Sequence, residues 1–223
     1  LGEVKETTDI SHARSVEVLQ PGPIVSSIRV DHWFKTSMFA QDIKLYAGVP
    51  RLDIKMTADW REVGTPEKGC TMLKTAFAVN VENGKATFEI PFASIERKAD
   101  GSEVPAQKWI DLSNKDYGVS LLNDCKYGHD VNGSTMRLTL LRSSYDPDPK
   151  PDVGIHTITY SLYPHSGDWR KAGTVRRAYE LNNPLVSQST TLHKGSFGAE
   201  RSFVSVAPAN LIVTSLKKAE DGS

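Results

Sequence analysis

The stretch RLDIKMTADWR, residues 51–61, decides the fold class of this chain. Its apolar members are Leu52, Ile54, Met56, Ala58 and Trp60. They alternate with charged or polar residues, and a period of two is typical of a β-strand with one buried and one wet face. The sequence Gly48-Val49-Pro50 just before the stretch is typical of a turn. The stretch therefore predicts a strand of an antiparallel sheet, with its apolar side packed against the core.

Strand-like runs fill most of the chain on both sides of this stretch. We predict further strands at residues 14–19, 24–34, 39–46, 72–81, 85–90, 108–112, 118–123, 136–141, 155–163, 201–205 and 211–216. Turn-forming sequences separate these runs. The dipeptides Asn83-Gly84 and Asn132-Gly133 each lie between two runs, which is the pattern of a β-hairpin.

One late segment, residues 168–181, has a helical period instead. Its apolar residues, spaced by three and four, are Trp169, Ala172, Val175 and Tyr179. Ser166 or Asp168 can cap such a helix, and Asn182-Asn183-Pro184 ends it. Many closely spaced strands with one late helix predict an all-β fold. We expect a large antiparallel β-sandwich that forms a single region over residues 1–223.

The composition is that of a folded domain and argues against several classes of partner. Hydrophobic residues make up 39% of the 223 residues, which is enough for a sizeable core. The 27 basic and 27 acidic residues balance, so neither nucleic acid nor a membrane surface is an expected partner. We also expect no membrane span, because no apolar run reaches the required ~18–20 residues.

The two cysteines, Cys70 and Cys125, are too few for a disulfide framework. We expect both to be reduced, small and buried, with a bridge between them as the less favoured alternative. The chain opens on Leu1 rather than Met and ends in a polar sequence. We therefore expect it to be part of a longer protein.

The residues contain no complete metal or nucleophile motif. The nearest approaches to a ligand pair are His129 with Asp130 and His165 with Asp168, and we favour loop histidines and a helix cap over a metal site. Serine-nucleophile and phosphate-loop sequences are also missing. The sequence therefore predicts no catalytic and no metal-binding residue in this chain.

A polar turn follows the strand predicted at residues 118–123. It contains Asn123, Asp124, Lys126 and Tyr127 and ends at Gly128. Together these side chains offer the donors, acceptors and aromatic face that suit sugar hydroxyls, and loops carry function more often than strands do. On residue chemistry alone, an ordinary turn with a local ion pair is the favoured interpretation, because such polar turns are common.

The four tryptophans, which can also stack on sugars, are Trp33, Trp60, Trp109 and Trp169. We expect Trp60 and Trp169 in the core. Trp109, which follows a loop at the start of a strand, stays open between the core and a sugar-stacking role.

Five segments, in their order along the chain, resemble glycoside hydrolase family 38. They are FEIPFASIER at residues 88–97, EVPAQKWIDL at 103–112, YGVSLLNDCKYG at 117–128, MRLTLLRS at 136–143 and YSLYPHSGDW at 160–169. The third segment is the most specific. The likeness extends over residues 10–216 and is closest to the bacterial and cytosolic α-mannosidases of the family.

The resemblance implies a zinc-dependent retaining α-mannosidase whose zinc ligands and aspartate nucleophile lie in an amino-terminal α/β domain. A three-helix bundle follows, and then a β-sandwich related to the mutarotase-like supersandwich, which is the region that this chain resembles. The implied cofactor of the longer enzyme is zinc, with none in this chain. The implied partners are the catalytic α/β domain of the same polypeptide and an α-mannoside or oligosaccharide, in the cytoplasm. Homo-oligomerisation stays open.

In this family the sandwich adds a few side chains to the edge of the sugar pocket. By placement, the resemblance assigns this role to Asn123, Asp124, Lys126 and Tyr127. Two other hypotheses remain. The chain can be a carbohydrate-binding module without hydrolytic activity. It can also be a mutarotase-like enzyme, which needs a histidine, His156 or His165, facing a carboxylate in a groove.

Overall fold

The structure, a computed structural model, describes residues 6–192, 194–208 and 210–222. These residues form thirteen strands followed by two short helices. The strands are β1 Ser15–Pro21, β2 Val25–Phe34, β3 Ser37–Tyr46, β4 Leu52–Trp60, β5 Thr71–Ala78, β6 Lys85–Ile90, β7 Ala93–Arg97, β8 Val104–Pro105, β9 Trp109–Ser113, β10 Tyr117–Asn123, β11 Gly128–Asn132, β12 Thr135–Ser143 and β13 Gly154–Ser166. The helices are α1 Trp169–Ala172 and α2 Thr174–Asn182.

The strands form two antiparallel sheets of unequal size. The large sheet has the order β1-β2-β3-β4-β13-β10-β9-β6-β7, and the small sheet has the order β5-β12-β11-β8. Buried side chains from both sheets, such as Met56 of β4 and Met136 of β12, belong to one hydrophobic cluster. The predicted all-β sandwich is therefore confirmed.

The alternation of apolar and polar residues at 51–61 is confirmed in β4. Ile54, Met56, Ala58 and Trp60 are buried on the side of the sheet that faces the core. The Trp60 ring stacks on Phe34 at a centroid distance of 6.4 Å. Because successive side chains of a strand point to opposite faces, the charged residues between them lie on the outer face.

The helices cover the outer face of the large sheet, where they form a second cluster with Trp109, Leu122 and Tyr163. Trp109 is buried, and its ring lies 4.9 Å from that of Trp169. Trp109 is therefore a packing residue, and the question left open by the sequence is settled in favour of the core. Trp60 and Trp169 also pack as expected, although Trp169 is only half-buried.

The predicted helix over residues 168–181 is wrong as a single helix. Gly173 adopts a left-handed conformation with φ of 68°, which ends α1 and starts α2 in a new direction. The predicted cap is confirmed, because the Asp168 side chain accepts a hydrogen bond from the backbone N–H of Lys171.

The strands predicted before residue 184 are confirmed with small shifts at their ends, while β7, β8 and β11 were not predicted. The hairpin at Asn132-Gly133 is confirmed, because Asn132 pairs with Thr135 across it. The hairpin at Asn83-Gly84 is wrong. The strands on its two sides, β5 and β6, lie in different sheets, so this turn carries the chain across the sandwich.

The chain divides into two compact units, residues 1–183 and 184–223. The first contains both sheets and both helices. In the second, the described residues form no strand or helix, so the strands predicted at 201–205 and 211–216 are wrong. Strand propensity alone does not make a strand, because backbone groups need a partner strand. That residues 1–223 are one sandwich region stays a prediction for this unit.

Candidate functional site

Asn123 ends β10 and holds the polar turn in place from inside. Its Oδ1 accepts hydrogen bonds from the backbone N–H groups of Cys125 at 3.1 Å and Lys126 at 2.7 Å. Its Nδ2 donates to the backbone oxygen of Gln107 at 2.9 Å. The side chain is buried and is engaged at both ends. Asn123 therefore fixes the shape of the turn.

Asp124 ties the turn to β13, and the exposed part of the turn comes after it. The Asp124 Oδ1 accepts a hydrogen bond from the backbone N–H of Thr159 at 3.0 Å. Lys126 is half-buried, and Tyr127 is 62% exposed. The structure thus brings the four predicted residues together in one turn but divides their roles. Asn123 and Asp124 hold the backbone, while Tyr127 presents its ring to solvent.

The cysteines are both free thiols, as expected, but the prediction that they are buried is wrong. Cys70 and Cys125 are exposed and lie outside the strands, Cys70 just before β5 and Cys125 in the turn after β10. Partial desolvation, supported by the neighbouring Asp124, raises the pKa of Cys125 to about 12. The Cys125 thiol therefore stays protonated at neutral pH.

Tyr127 lies at an open groove of about 250 Å³ beside the small sheet. The residues that line the groove are Met72, Glu103, Val104, Pro105, Tyr127, Gly128 and Arg142. A Cβ atom at Gly128 would lie 2.5 Å from Glu103 Oε1, so only glycine leaves that carboxylate in place. The groove combines an aromatic ring, a carboxylate and a guanidinium, which are groups that recognise polar, hydroxyl-rich ligands.

A β-bulge in β12 directs Arg142 toward this groove. The pairing of β12 with β5 shifts between Thr139 and Leu141. Before the shift, residues such as Leu138 face the core, and after it Leu141 and Ser143 do so. The extra residue of the bulge thereby leaves Arg142 on the outer face.

A charged network on the outer face of the small sheet fixes the groove carboxylate. Asp130, which is almost fully buried, pairs with Lys74 at 2.9 Å and with Arg137 at 2.5 Å. Lys74 also lies 3.4 Å from Glu103, which accepts a hydrogen bond from Thr139. Sequence reasoning missed Glu103 and Arg142 as site residues, although both lie in segments that carry the family resemblance, because only strand pairing brings them together.

His129 connects the turn to the core as a neutral imidazole. Its Nδ1 lies 3.0 Å from the backbone oxygen of Tyr127, and its Nε2 lies 3.3 Å from Asn123 Nδ2. A neutral ring protonated at Nδ1 satisfies both contacts, since it donates to the carbonyl and accepts from the amide. Burial lowers the pKa of His129 to about 4, against the opposing effect of Asp130 and Glu103.

We expect the free energy of unfolding to fall as the pH is lowered from about 6.5 to about 4. The unfolded imidazole binds a proton near pH 6.5, and the folded one only near pH 4. Between these values the unfolded chain binds more protons, which favours unfolding by up to about 3 kcal/mol. Urea denaturation at pH 7.5, 5.5 and 4.5, repeated on His129→Gln, measures the contribution. An equal pH dependence in both proteins contradicts the assignment to His129.

The histidine pairs singled out by the sequence do not form metal or groove sites. His129 faces the turn and Asp130 the salt-bridge network, while His165 bonds Asp111 at 2.8 Å instead of Asp168. The His165–Asp111 pair is buried beneath the helices, with side-chain exposures of 2% and 0%, so it does not face a groove. Nothing in this geometry supports the mutarotase-like hypothesis. In residues 6–192, 194–208 and 210–222, no three His, Cys, Asp or Glu side chains are grouped as a metal requires.

Comparison with known families assigns the chain. The profile described as "Glycosyl hydrolases family 38 C-terminal domain" matches residues 2–150. The chain belongs to this family. The resemblance seen in the sequence is therefore confirmed, and the domain described above is the family 38 carboxy-terminal sandwich.

Two relatives of this family 38 domain carry the name α-mannosidase. The chain is 33% identical over 221 residues to Alpha-mannosidase G of Dictyostelium discoideum, covering 93% of this chain and 20% of that protein. It is 36% identical over 173 residues to Alpha-mannosidase 2C1 of Homo sapiens, covering 72% of this chain and 16% of that protein. The chain thus spans a fifth or less of the length of these relatives.

A solved structure supports the same fold. An α-mannosidase from Enterococcus faecalis V583 superposes with a TM-score of 0.66 at 13% identity, over 81% of this chain and 25% of that chain. No helix in the described part of the family 38 domain is long and apolar enough to cross a membrane.

Proposed function

We propose that this domain is the carboxy-terminal β-sandwich of a zinc-dependent retaining α-mannosidase and that its polar turn edges the sugar pocket. The observation that carries the proposal is the exposed ring of Tyr127, presented beside Glu103 and Arg142 by a turn that Asn123 holds rigid. Rigid presentation matters because a side chain fixed before binding loses little entropy when the sugar arrives.

The residues of this chain bind and orient substrate in the proposed enzyme. The Tyr127 ring packs against the apolar face of a sugar, while Arg142 donates to its hydroxyl groups and Glu103 accepts from them. Zinc, when bound, holds sugar hydroxyls in such an enzyme. In this proposal the metal and the nucleophile lie in the catalytic α/β domain outside this chain, as the resemblance implies. The isolated domain is accordingly inactive toward α-mannosides.

The remaining parts of the proposal follow from the resemblance and from composition. The partners are the catalytic domain of the same polypeptide and a terminal α-mannoside or oligosaccharide, and the location is the cytoplasm. The balanced charge supports the absence of nucleic acid and membrane partners. Homo-oligomerisation remains open in this proposal.

The proposed role of Tyr127 predicts a selective loss of activity in the full-length enzyme. Tyr127→Ala should lower kcat/KM for an aryl α-mannoside about fivefold, since a stacked aromatic ring contributes about 1 kcal/mol. Tyr127→Phe, which keeps the ring, should retain most of the activity. The kcat/KM values are measured by steady-state kinetics, and the zinc content of each variant is measured beside them.

Tyr117→Ala provides the control, because Tyr117 is a partly exposed tyrosine at the opposite end of β10. It should leave kcat/KM unchanged. If Tyr127→Ala behaves like Tyr117→Ala, the turn does not reach the substrate.

A carbohydrate-binding module without hydrolytic activity is the second candidate. The observation that favours it is the exposed ring of Tyr127, which lies beside Glu103 and Arg142 in the groove. Titration of the isolated 223-residue chain with mannose and mannobiose distinguishes the two. Millimolar or tighter binding by the isolated chain supports the module, whereas the pocket-edge role predicts no such binding without the catalytic domain.

A further inference from the structure

The helical layer, formed by α1 and α2, contacts the polar turn through Asn182, the last residue of α2. The Asn182 Nδ2 donates a hydrogen bond to the backbone oxygen of Asn123 at 3.0 Å. It also donates to the backbone oxygen of Ala178, one helical turn earlier, at 2.9 Å. Because the Asn123 side chain fixes the turn, this bond connects α2 directly to the residue on which the turn depends.

The Asn182 amide takes the place of a strand donor that points elsewhere. Lys108 lies opposite Asn123, one step beyond the last pair of β9 and β10, and its backbone oxygen accepts from the Asn123 N–H at 2.9 Å. In a regular antiparallel ladder the Lys108 N–H would return this bond. It donates to the Glu89 carboxylate instead, and the Asn123 oxygen accepts from Asn182.

Asn123 is thereby held through its main chain as well as its side chain. Its N–H and its carbonyl contact Lys108 and Asn182, while its amide group contacts the turn and the backbone oxygen of Gln107. Asn123 is only 1% exposed, and a buried carbonyl without a partner is unfavourable. Loss of the Asn182 amide should therefore loosen the end of β10, where the turn begins.

The helix that carries Asn182 is itself fixed to the large sheet. α2 has nine residues, too few for a stable isolated helix in water, so its position depends on packing. Ala178 is fully buried in the cluster between the helices and the sheet. Thr174, at the start of α2, bonds Ser120 of β10 at 2.7 Å. The Asn182 amide is therefore presented to the turn from a fixed position.

We infer that Asn182 is a positioning residue for the proposed sugar pocket and that it acts through the turn that presents Tyr127. The inference rests on the proposed function, because it takes the contact between Tyr127 and the sugar as given. Its physical reason is that a binding group held in place before the ligand arrives loses less entropy on binding. The helical layer on the outer face of the sheet thus takes part in shaping the site.

Amide hydrogen exchange in the 223-residue chain tests the Asn182–Asn123 bond without using enzyme activity. Asn182→Ala should accelerate the exchange of the Cys125 and Lys126 amides about tenfold, since their N–H groups bond Asn123 Oδ1 and local opening exposes them. Alanine favours a helix more than asparagine does, so α2 should stay folded. Unchanged exchange of the Ala178 amide would show this.

Asn183→Ala is the matched control for Asn182→Ala. Asn183 is the next residue, and its Nδ2 donates to the backbone oxygen of Tyr179 at 2.9 Å, within the helical layer. The control should leave the exchange of the turn amides unchanged. Equal exchange of these amides in the two variants overturns the inference.

A double-mutant cycle in the full-length enzyme tests whether Asn182 acts through Tyr127. Asn182→Ala alone should lower kcat/KM for an aryl α-mannoside about threefold, and in the Tyr127→Ala background it should have little further effect, because coupled residues are not additive. A general effect on folding would lower kcat/KM equally in both backgrounds and would overturn the inference.

The two measurements separate the inference from the proposed function. Faster exchange of the turn amides in Asn182→Ala, together with an unchanged kcat/KM in Tyr127→Ala, would support the hold of α2 on the turn. The same result would contradict the contact of the turn with substrate, and so the proposed function.

Discussion

Replacing Trp60 by alanine should lower the free energy of unfolding by about 3–5 kcal/mol, the usual effect of removing a buried tryptophan. Trp60 is fully buried where the two sheets meet, between the rings of Phe34 and Phe39. Its Nε1 donates to Ser143 Oγ at 2.7 Å, and that hydroxyl donates to the Glu62 backbone oxygen at 2.6 Å. The substitution therefore opens a cavity and also removes a buried hydrogen bond.

Urea denaturation followed by circular dichroism measures the effect of Trp60→Ala. Because single domains are stable by only about 5–15 kcal/mol, the variant should unfold at a much lower urea concentration. Trp33→Ala is the matched control, since Trp33 is about half exposed and lies on the opposite face of its strand relative to Phe34. Equal shifts of the midpoint in the two variants would show that Trp60 is not the centre of the core.

Asp111→Ala should have a similarly large effect, about 3–5 kcal/mol, because it leaves several buried donors without an acceptor. The Asp111 carboxylate accepts hydrogen bonds from His165 Nε2 at 2.8 Å, from Ser120 Oγ at 2.7 Å and from the Ser113 hydroxyl. Ser120 continues the network to Thr174 of α2. We therefore expect the helical layer to detach from the sheet.

Denaturation with two probes checks this prediction. Near-ultraviolet circular dichroism of Trp169 reports on the helical layer, and far-ultraviolet circular dichroism reports on the sheets. Asp59→Ala serves as the control, because Asp59 forms an exposed pair with Arg61 and should change neither signal. A stable Asp111→Ala variant with an unchanged near-ultraviolet spectrum would mean that packing alone holds the helices.

The sequence predicts the strands that have one buried and one wet face, because their alternation records the two environments. β4 is the strongest case. β7 and β11 were not predicted, because their residues do not alternate between apolar and polar in this way. β7 is a short edge strand that is mostly exposed, and β11 buries His129 and Asp130, which no propensity scale places inside. The hairpin prediction at Asn83-Gly84 was wrong because a tight turn does not show whether the two strands beside it pair with each other.

The candidate site was predictable only in part. A polar turn after an apolar strand located Asn123 and Tyr127 correctly as neighbours. Their different roles depend on burial, which the residue types alone do not give. Glu103 and Arg142 are distant in sequence and meet only because β8, β11 and β12 are adjacent in the small sheet.

The bulge in β12 has a consequence for how the length of this strand can vary. Counting strictly by twos from Met136 would place Arg142 inside and Ser143 outside, which would deprive Trp60 of its hydrogen-bond acceptor. The extra residue absorbs this mismatch within the strand. Loss of one residue at the bulge would restore regular pairing and keep both side chains where they are. β12 can therefore lose one residue at the bulge without turning over Arg142 or Ser143.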